Sequence, residues 1–194
     1  SMKECSEPGS PVFLSYHDNP KRKLAYTWEL IQMPDSLVGV NTQWPNRLVE
    51  LGIAEGQVKE LTNYPTIRRE VKINDRSRLD LLLSNENDEQ CYVEVKNCTL
   101  VKDRLASFPD AVTTRGKKHL SELQLLLAPK TRCVIFFLIQ RMDAELFSPA
   151  DEIDEQYGAE LRKAHTNGVE ILVYDVDVDL RRIGLNKSLP FRLP

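Results

Sequence analysis

The sequence lacks the long apolar segments that characterise membrane proteins. None of its apolar runs approaches the roughly 20 residues that a membrane helix requires. The N-terminus also lacks the charged and then apolar order of a signal peptide. These absences predict a soluble globular protein with a cytoplasmic location and no membrane contact.

Cysteine and histidine are scarce and scattered. The chain has four cysteines and three histidines, and it contains no Cys-x-x-Cys pair. Neither a disulfide framework nor a zinc site is therefore predicted. Cys91 and Cys133 each open an apolar run, so we expect both thiols to be small buried hydrophobic groups.

Positive charge is not in excess, since the net charge is −3, and this excludes a uniformly basic coat for nucleic acid. The charges are unevenly distributed, however. Eleven acidic residues lie between 143 and 179, whereas residues 96–118 contain six basic residues and two acidic ones. This pattern is typical of a protein with one basic side, or of two solvated faces of opposite charge.

The apolar patterns predict alternating helices and strands after an N-terminal pair of strands. Asn46 is the expected cap of the first helix. Strands are expected at 66–73, 78–84, 91–100, 132–140 and 169–180, and helices within 45–58 and at 113–128 and 151–168. This order predicts a mixed α/β fold, with a mixed sheet flanked by helices and at least one parallel crossover.

A group of charged residues interrupts two of these strands. Within 91–100, Glu94 and Lys96 share one face, while the alternate positions are apolar and face the core. If residues 85–90 form a turn, Asp80 on the preceding strand comes near Glu94. Two close carboxylates repel each other, and Mg²⁺ or Mn²⁺ would relieve that repulsion. Lys96 would then position the attacking water, as hydrolysis of a phosphodiester requires.

The Glu-x-Lys pattern alone is a weak signal, because it occurs twice. Glu70 and Lys72 repeat it on a strand that follows no aspartate-bearing strand. Most such pairs are solvated ion pairs at a strand edge, worth about 0–1 kcal/mol. On spacing alone, a surface ion pair remains the alternative for Glu94 and Lys96.

Several longer motifs occur in order along the chain, namely "SYHDNPKRKLAYTWEL", "LVGVNTQWPNRLVE", "RREVK", "YVEVKNCTL", "FPDAVTTRGKKHLSEL" and "SPADEIDEQYG". Together they resemble the sugar fermentation stimulation protein (SfsA) family. The resemblance implies an OB-like N-terminal domain, a PD-(D/E)XK nuclease-like domain with the restriction-endonuclease-like fold, and DNA as the ligand.

The resemblance assigns residues 1–35 to the OB-like segment and residues 36–194 to the nuclease-like domain. A closed OB barrel has about five strands, and residues 1–35 provide two or three. We therefore expect this segment to be incomplete, either because the chain is a fragment or because the first domain is lost.

The same resemblance assigns site residues. Asp80, Glu94 and Lys96 match the Asp…Glu-x-Lys core, with Asp80 and Glu94 as metal ligands. Gln140, which closes an apolar strand, matches a further polar residue of the catalytic site. Glu50 lies where some relatives carry an additional acid, and an exposed helical glutamate is the alternative.

Two basic clusters are candidates for nucleic-acid binding. Thr114, Arg115 and Lys118 lie at the start of the 113–128 helix and are expected to hold backbone phosphates. His119 follows them and fits either a proton shuttle or a packed core residue, and we do not include it in the catalytic set.

The second cluster comprises Lys21, Arg22 and Lys23, which lie among aromatic residues. Such a mixture suits single-stranded nucleic acid, and a solvated loop over a barrel core is the alternative.

The sequence thus predicts a DNA-binding protein that is a divalent-metal-dependent DNA phosphodiesterase. One alternative is a non-catalytic DNA-binding regulator of sugar-utilisation genes that keeps the nuclease-like fold. Another is a protein-interaction module in which the charged cluster is only structural. Whether the DNA is single-stranded and whether the protein forms a homodimer are left open.

Overall fold

The computed structural model describes residues 5–194, so the first four residues of the predicted N-terminal segment lie outside the described residues. These residues form three sheets and three α-helices. In chain order the elements are β1 (Val12–Tyr16), β2 (Tyr26–Gln32), β3 (Leu37–Gly39), α1 (Trp44–Ala54), a 3₁₀ turn (Lys59–Leu61), β4 (Thr66–Asn74), β5 (Ser77–Ser84), β6 (Gln90–Cys98), β7 (Leu100–Lys102), β8 (Leu105–Phe108), α2 (Thr114–Leu126), β9 (Thr131–Ile139), β10 (Leu146–Pro149), α3 (Asp151–Thr166), β11 (Glu170–Val178) and β12 (Ile183–Ser188).

The N-terminal sheet is a small antiparallel sheet of β1, β2 and β3. It is joined to the rest of the fold where the Gly39 N–H donates to the carbonyl oxygen of Gln140 at 2.8 Å. A Cβ at position 39 would lie 2.7 Å from Oε1 of Gln140, so a larger residue here would have to displace the Gln140 side chain.

The central sheet is mixed and has the strand order β12-β11-β9-β6-β5-β4. Strands β6, β9 and β11 are parallel, and β4, β5 and β12 pair antiparallel with their neighbours. Helices α2 and α3 form the two crossovers between the parallel strands. The predicted mixed α/β fold with a parallel crossover is therefore confirmed.

Strand β9 is buried on both faces of the sheet, as its continuous apolar run predicted. Phe136 packs in the cluster that includes α1, whereas Phe137 packs in the cluster that includes α2 and α3. On β6 the alternation is also as predicted. Val93 lies on the α1 side, and Glu94 and Lys96 lie on the α2 side, where both contact His119.

Strands β7, β8 and β10, which form the third sheet, were not expected from the sequence. Each has only three or four residues, which is too short for an alternating pattern. The β7–β8 turn is formed by Asp103 and Arg104, both with positive φ. Such turns usually carry Asn-Gly or Asp-Gly, so the usual sequence signal of a hairpin was missing.

The prediction that Asn46 caps the first helix is wrong. Helix α1 starts at Trp44, its N-cap is Gln43, and Pro45 occupies the first turn. Proline at this position has the helical φ already fixed, which favours a helix start before Asn46. The Asn46 side chain instead contacts Asp80.

All four cysteines are buried, which confirms the expected burial of Cys91 and Cys133. No helix within residues 5–194 combines the length and the apolar character needed to cross a membrane.

Candidate functional site

The site lies where β5 and β6 separate. Their ladder runs from the pair Ser84–Gln90 to the pair Leu81–Val93, and the next pair in this register would be Asp80 and Glu94. At that point Oδ2 of Asp80 accepts a hydrogen bond from the Val95 N–H at 2.8 Å. The carboxylate thus replaces a backbone partner, and it lies near enough to Glu94 for the two negative charges to interact, as the predicted turn required.

Asp80 is in an unfavourable environment for a carboxylate. Its pKa is raised to about 6, first because of burial and second because of the negative charge of Glu94. The Val95 N–H, the Lys96 charge and the Asn46 side chain partly oppose this increase; Nδ2 of Asn46 donates to Oδ1 at 2.8 Å. A further positive charge beside Asp80 would stabilise its ionised form.

Glu94 is 3% exposed, and its two carboxylate oxygens are in different environments. Oε1 contacts Nζ of Lys96 at 2.6 Å and also contacts Nδ1 of His119. Oε2 is buried and has no hydrogen-bond partner among the described residues. Although burial raises the pKa of Glu94, the contacts with His119 and Lys96 outweigh it and lower the pKa. Glu94 is therefore an anion with one oxygen available.

His119 belongs to this site, although the sequence analysis did not include it in the catalytic set. It is buried on α2, and Nε of Arg115 donates to its Nε2 at 3.4 Å. With Nε2 as an acceptor, Nδ1 carries the proton and donates to Glu94. The sequence did contain an indication that His119 is buried. His119 lies four residues before Leu123, so both side chains lie on the helix face that points into the core.

The start of α2 carries the predicted phosphate-binding residues. Thr113 caps the helix by accepting from the Gly116 N–H at 3.0 Å, and Thr114 is exposed beside it. Arg115 and Lys118 line one open groove together with His119. The structure thus brings this basic cluster next to Glu94.

Other predicted site residues lie apart from the Asp80–Glu94 pair. Nε2 of Gln140 donates to Oδ1 of Asn97 at 2.9 Å, and its buried Oε1 faces Gly39. Glu50 is ion-paired with Arg69.

The three basic residues at 21–23 are exposed in the β1–β2 loop. No contact recorded for residues 5–194 joins that loop to the site. The roles assigned to the loop, to Gln140 and to Glu50 stay predictions.

The second Glu-x-Lys pair, Glu70 and Lys72, lies on the protein surface. Glu70 is exposed and has a φ of 50°, and Lys72 pairs with Asp75 at 2.7 Å on the protein surface. Identical sequence patterns therefore lie in opposite environments, since Glu94 is buried.

Two carboxylates, Asp80 and Glu94, are the ligands available to a metal ion. Within residues 5–194, no group of three or more histidine, cysteine, aspartate or glutamate side chains is arranged to hold a metal. Mg²⁺ commonly takes only one or two protein carboxylates and keeps several waters. Oε2 of Glu94 is buried without a hydrogen-bond partner, and the charge of Glu94 acts on Asp80, which fits this small ligand set.

Comparisons with known proteins agree with this architecture. The sequence family described as the sugar fermentation stimulation protein RE domain matches residues 43–182. The family described as the SfsA N-terminal OB domain matches residues 1–40. A sugar fermentation stimulation protein homolog from Geotalea uraniireducens is 52% identical over 193 residues, covering 100% of this chain and 83% of the homolog. The Geobacter sulfurreducens homolog is 53% identical over 190 residues, covering 98% of this chain and 81% of the homolog.

A solved structure shares the fold. Pyrococcus furiosus SfsA, determined in complex with Ca²⁺, superposes with a TM-score of 0.89 at 24% sequence identity. The match covers 98% of this chain and 81% of the other. The N-terminal β-sheet and the mixed sheet flanked by helices are therefore features that the two proteins share.

Proposed function

Starting from the fact that this chain belongs to the sugar fermentation stimulation protein (SfsA) family, we propose that it is a DNA-binding, divalent-metal-dependent phosphodiesterase. The observation that carries this proposal is the group of Asp80, Glu94 and Lys96, in which Glu94 is buried and the other two are partly buried. Burying two carboxylates side by side costs stability, and the raised pKa of Asp80 expresses that cost. A site of this kind is typical of a cation-binding function.

Asp80 and Glu94 would hold Mg²⁺ or Mn²⁺, with Oε2 of Glu94 as the available ligand atom. The Pyrococcus furiosus relative was determined with Ca²⁺, which also prefers oxygen ligands, and this supports the assignment. When bound, the ion would polarise a phosphoryl oxygen and ease the deprotonation of water. Asn46 and the Val95 N–H keep the Asp80 carboxylate fixed in orientation.

Lys96 would position the attacking water. Its Nζ donates to Oε1 of Glu94 at 2.6 Å, so the ammonium group has a defined place next to that carboxylate. Arg115 and Lys118 would bind the backbone phosphates of the substrate from the start of α2. His119 acts as a positioning residue, because it contacts Glu94 rather than the reacting atoms.

A cleavage assay tests this proposal. Labelled single-stranded, duplex and branched DNA would be incubated with the protein and Mg²⁺, Mn²⁺ or EDTA. We expect cleavage with a metal, none with EDTA and none in Lys96→Ala. Lys59→Ala, at an exposed position outside the site and outside its basic lining, is the control and should keep the parent's rate at saturating DNA. Cleavage that persists in EDTA or in Lys96→Ala would overturn the catalytic assignment.

A specific observation favours a second candidate, a DNA-binding regulator without catalysis. Both oxygens of Asp80 accept hydrogen bonds, and Oε1 of Glu94 already has two partners, so the cluster is held together by protein groups alone. This candidate predicts salt-dependent DNA binding with no cleavage under any metal condition. The cytoplasmic location and the domain boundary at residue 35 stay predictions.

A further inference from the structure

A groove beside the site has two walls of basic side chains. One wall is the β4–β5 hairpin and the other is the start of α2, and the groove has a volume of about 670 Å³. We call it the hairpin groove. The basic residues that line it are Lys72, Arg76 and Arg78 from the hairpin and Arg115 and Lys118 from the helix.

Positive charge in the hairpin groove exceeds negative charge. The acidic residues in its lining are Glu70 and Asp75, and Asp75 is already paired with Lys72. Arg76 and Arg78 are exposed, and neither has an acidic partner within ion-pair distance in the part of the chain that the structure describes. Both guanidinium groups are therefore available to an anionic ligand.

Hydrogen bonds hold the two walls of the groove together. Nζ of Lys118 donates to the carbonyl oxygen of Arg76 at 3.3 Å, and Nδ2 of Asn74 donates to Oε1 of Glu122 at 3.1 Å. Glu122 in turn lies 3.6 Å from Lys118. Because the hairpin is tied to α2, the backbone that carries its arginines is held opposite the helix before any ligand binds.

The lining also indicates which part of a nucleic acid would fit. His119 is the one ring-bearing side chain among the described lining residues, and it is buried and engaged with Glu94. Bases are usually held by stacking on exposed aromatic rings, whereas guanidinium groups bind phosphates. The groove therefore suits the backbone rather than the bases.

We propose that the hairpin groove holds the sugar–phosphate backbone of a polynucleotide, with Arg76 and Arg78 contacting phosphates opposite Arg115 and Lys118. This inference rests on the proposed function for the identity of the ligand as DNA, but it does not require cleavage. A backbone bound along the groove passes His119, and so comes next to Glu94. The hairpin thereby becomes part of the substrate-binding surface.

Salt-dependent binding in EDTA tests the hairpin arginines without cleavage. Arg76→Ala/Arg78→Ala should weaken binding to all sequences alike. If two phosphate contacts are lost, the slope of log affinity against log salt should fall by about 1.8 on duplex DNA or about 1.4 on single strands. Lys59→Ala/Lys163→Ala removes the same charge from exposed positions outside the groove, and its slope should equal that of the parent.

The outcomes separate this inference from the proposed function. An unchanged slope in the arginine variant, or an equal change in the control, would overturn the groove assignment even if the protein cleaves DNA. A reduced slope in the arginine variant alone would support the groove even if no metal gives cleavage. Thermal melts of the arginine variant, of the lysine control and of Arg76→Gln/Arg78→Gln show which of these proteins are folded. Only folded proteins enter the comparison of slopes.

Discussion

Replacing Asp80 with asparagine should stabilise the metal-free protein at neutral pH. The pKa of Asp80 is raised from 3.8 to about 6. This difference of about two pH units corresponds to about 3 kcal/mol, since one unit is worth about 1.4 kcal/mol. The neutral amide avoids this cost, but it has only one acceptor oxygen. If that oxygen accepts from the Val95 N–H, the Asn46 amide has to turn so that its oxygen accepts from the new NH2 group, and we assign about 1 kcal/mol to this loss. We expect Asp80→Asn to be more stable by about 1–2 kcal/mol.

The gain should depend on pH in a defined direction. Because the folded protein holds the Asp80 proton more tightly than the unfolded chain, the parent loses stability as the pH rises from about 4 to about 6. This loss of folding stability is complete above about pH 6 and absent below about pH 4. The advantage of Asp80→Asn should therefore appear between pH 4 and pH 7.

Urea unfolding in EDTA at pH 4, 5.5 and 7.5 measures this difference. Glu86→Gln, an exposed substitution in the β5–β6 turn, is the control and should stay within about 0.5 kcal/mol of the parent at each pH. An Asp80→Asn protein that is less stable than the parent at pH 7.5, or equally changed at every pH, would refute the argument.

Three further predictions concern other parts of the molecule. Glu94→Gln should destabilise the protein by about 3–5 kcal/mol in urea unfolding, because Lys96 and His119 lose their buried anionic partner; a cost below 1 kcal/mol would contradict this. The buried thiols should resist a thiol reagent at pH 8 until the protein unfolds, since burial raises the pKa of Cys91 to about 12; rapid labelling of the native protein would contradict it. Alanine at all three positions of 21–23 should flatten the salt dependence of single-strand binding by about 2 if each residue contacts a phosphate, and an unchanged slope would exclude these contacts.

The site strands were predictable from the sequence because their patterns are long and regular. Residues 91–96 alternate in character along β6, and the turn over residues 85–89, one residue shorter than predicted, sets the register in which Asp80 and Glu94 would be the next pair. The apolar run of β9 likewise required burial on both faces. For both strands, the local pattern of polar and apolar residues was sufficient to predict which side chains are buried.

The contacts that complete the site could not be predicted, because they join distant segments. Asn46 is 34 residues from Asp80, and its side chain reaches the carboxylate only because α1 packs on the sheet near the β5–β6 separation. His119 is 25 residues from Glu94 and meets it through the α2 crossover. A polar residue at an inward helix position predicts a buried partner but does not identify which one.

Metal-dependent thermal melts test most directly the claim that Asp80 and Glu94 form a metal site. A ligand that binds only the folded protein at ten times its Kd stabilises it by about 1.4 kcal/mol, or about 3–6 °C for a chain of this size. We expect millimolar Mn²⁺ to raise the Tm of the parent and of the control Glu70→Gln by this amount. Asp80→Asn should show no increase. A parent without a shift, or an Asp80→Asn shift equal to that of the parent, would contradict the account.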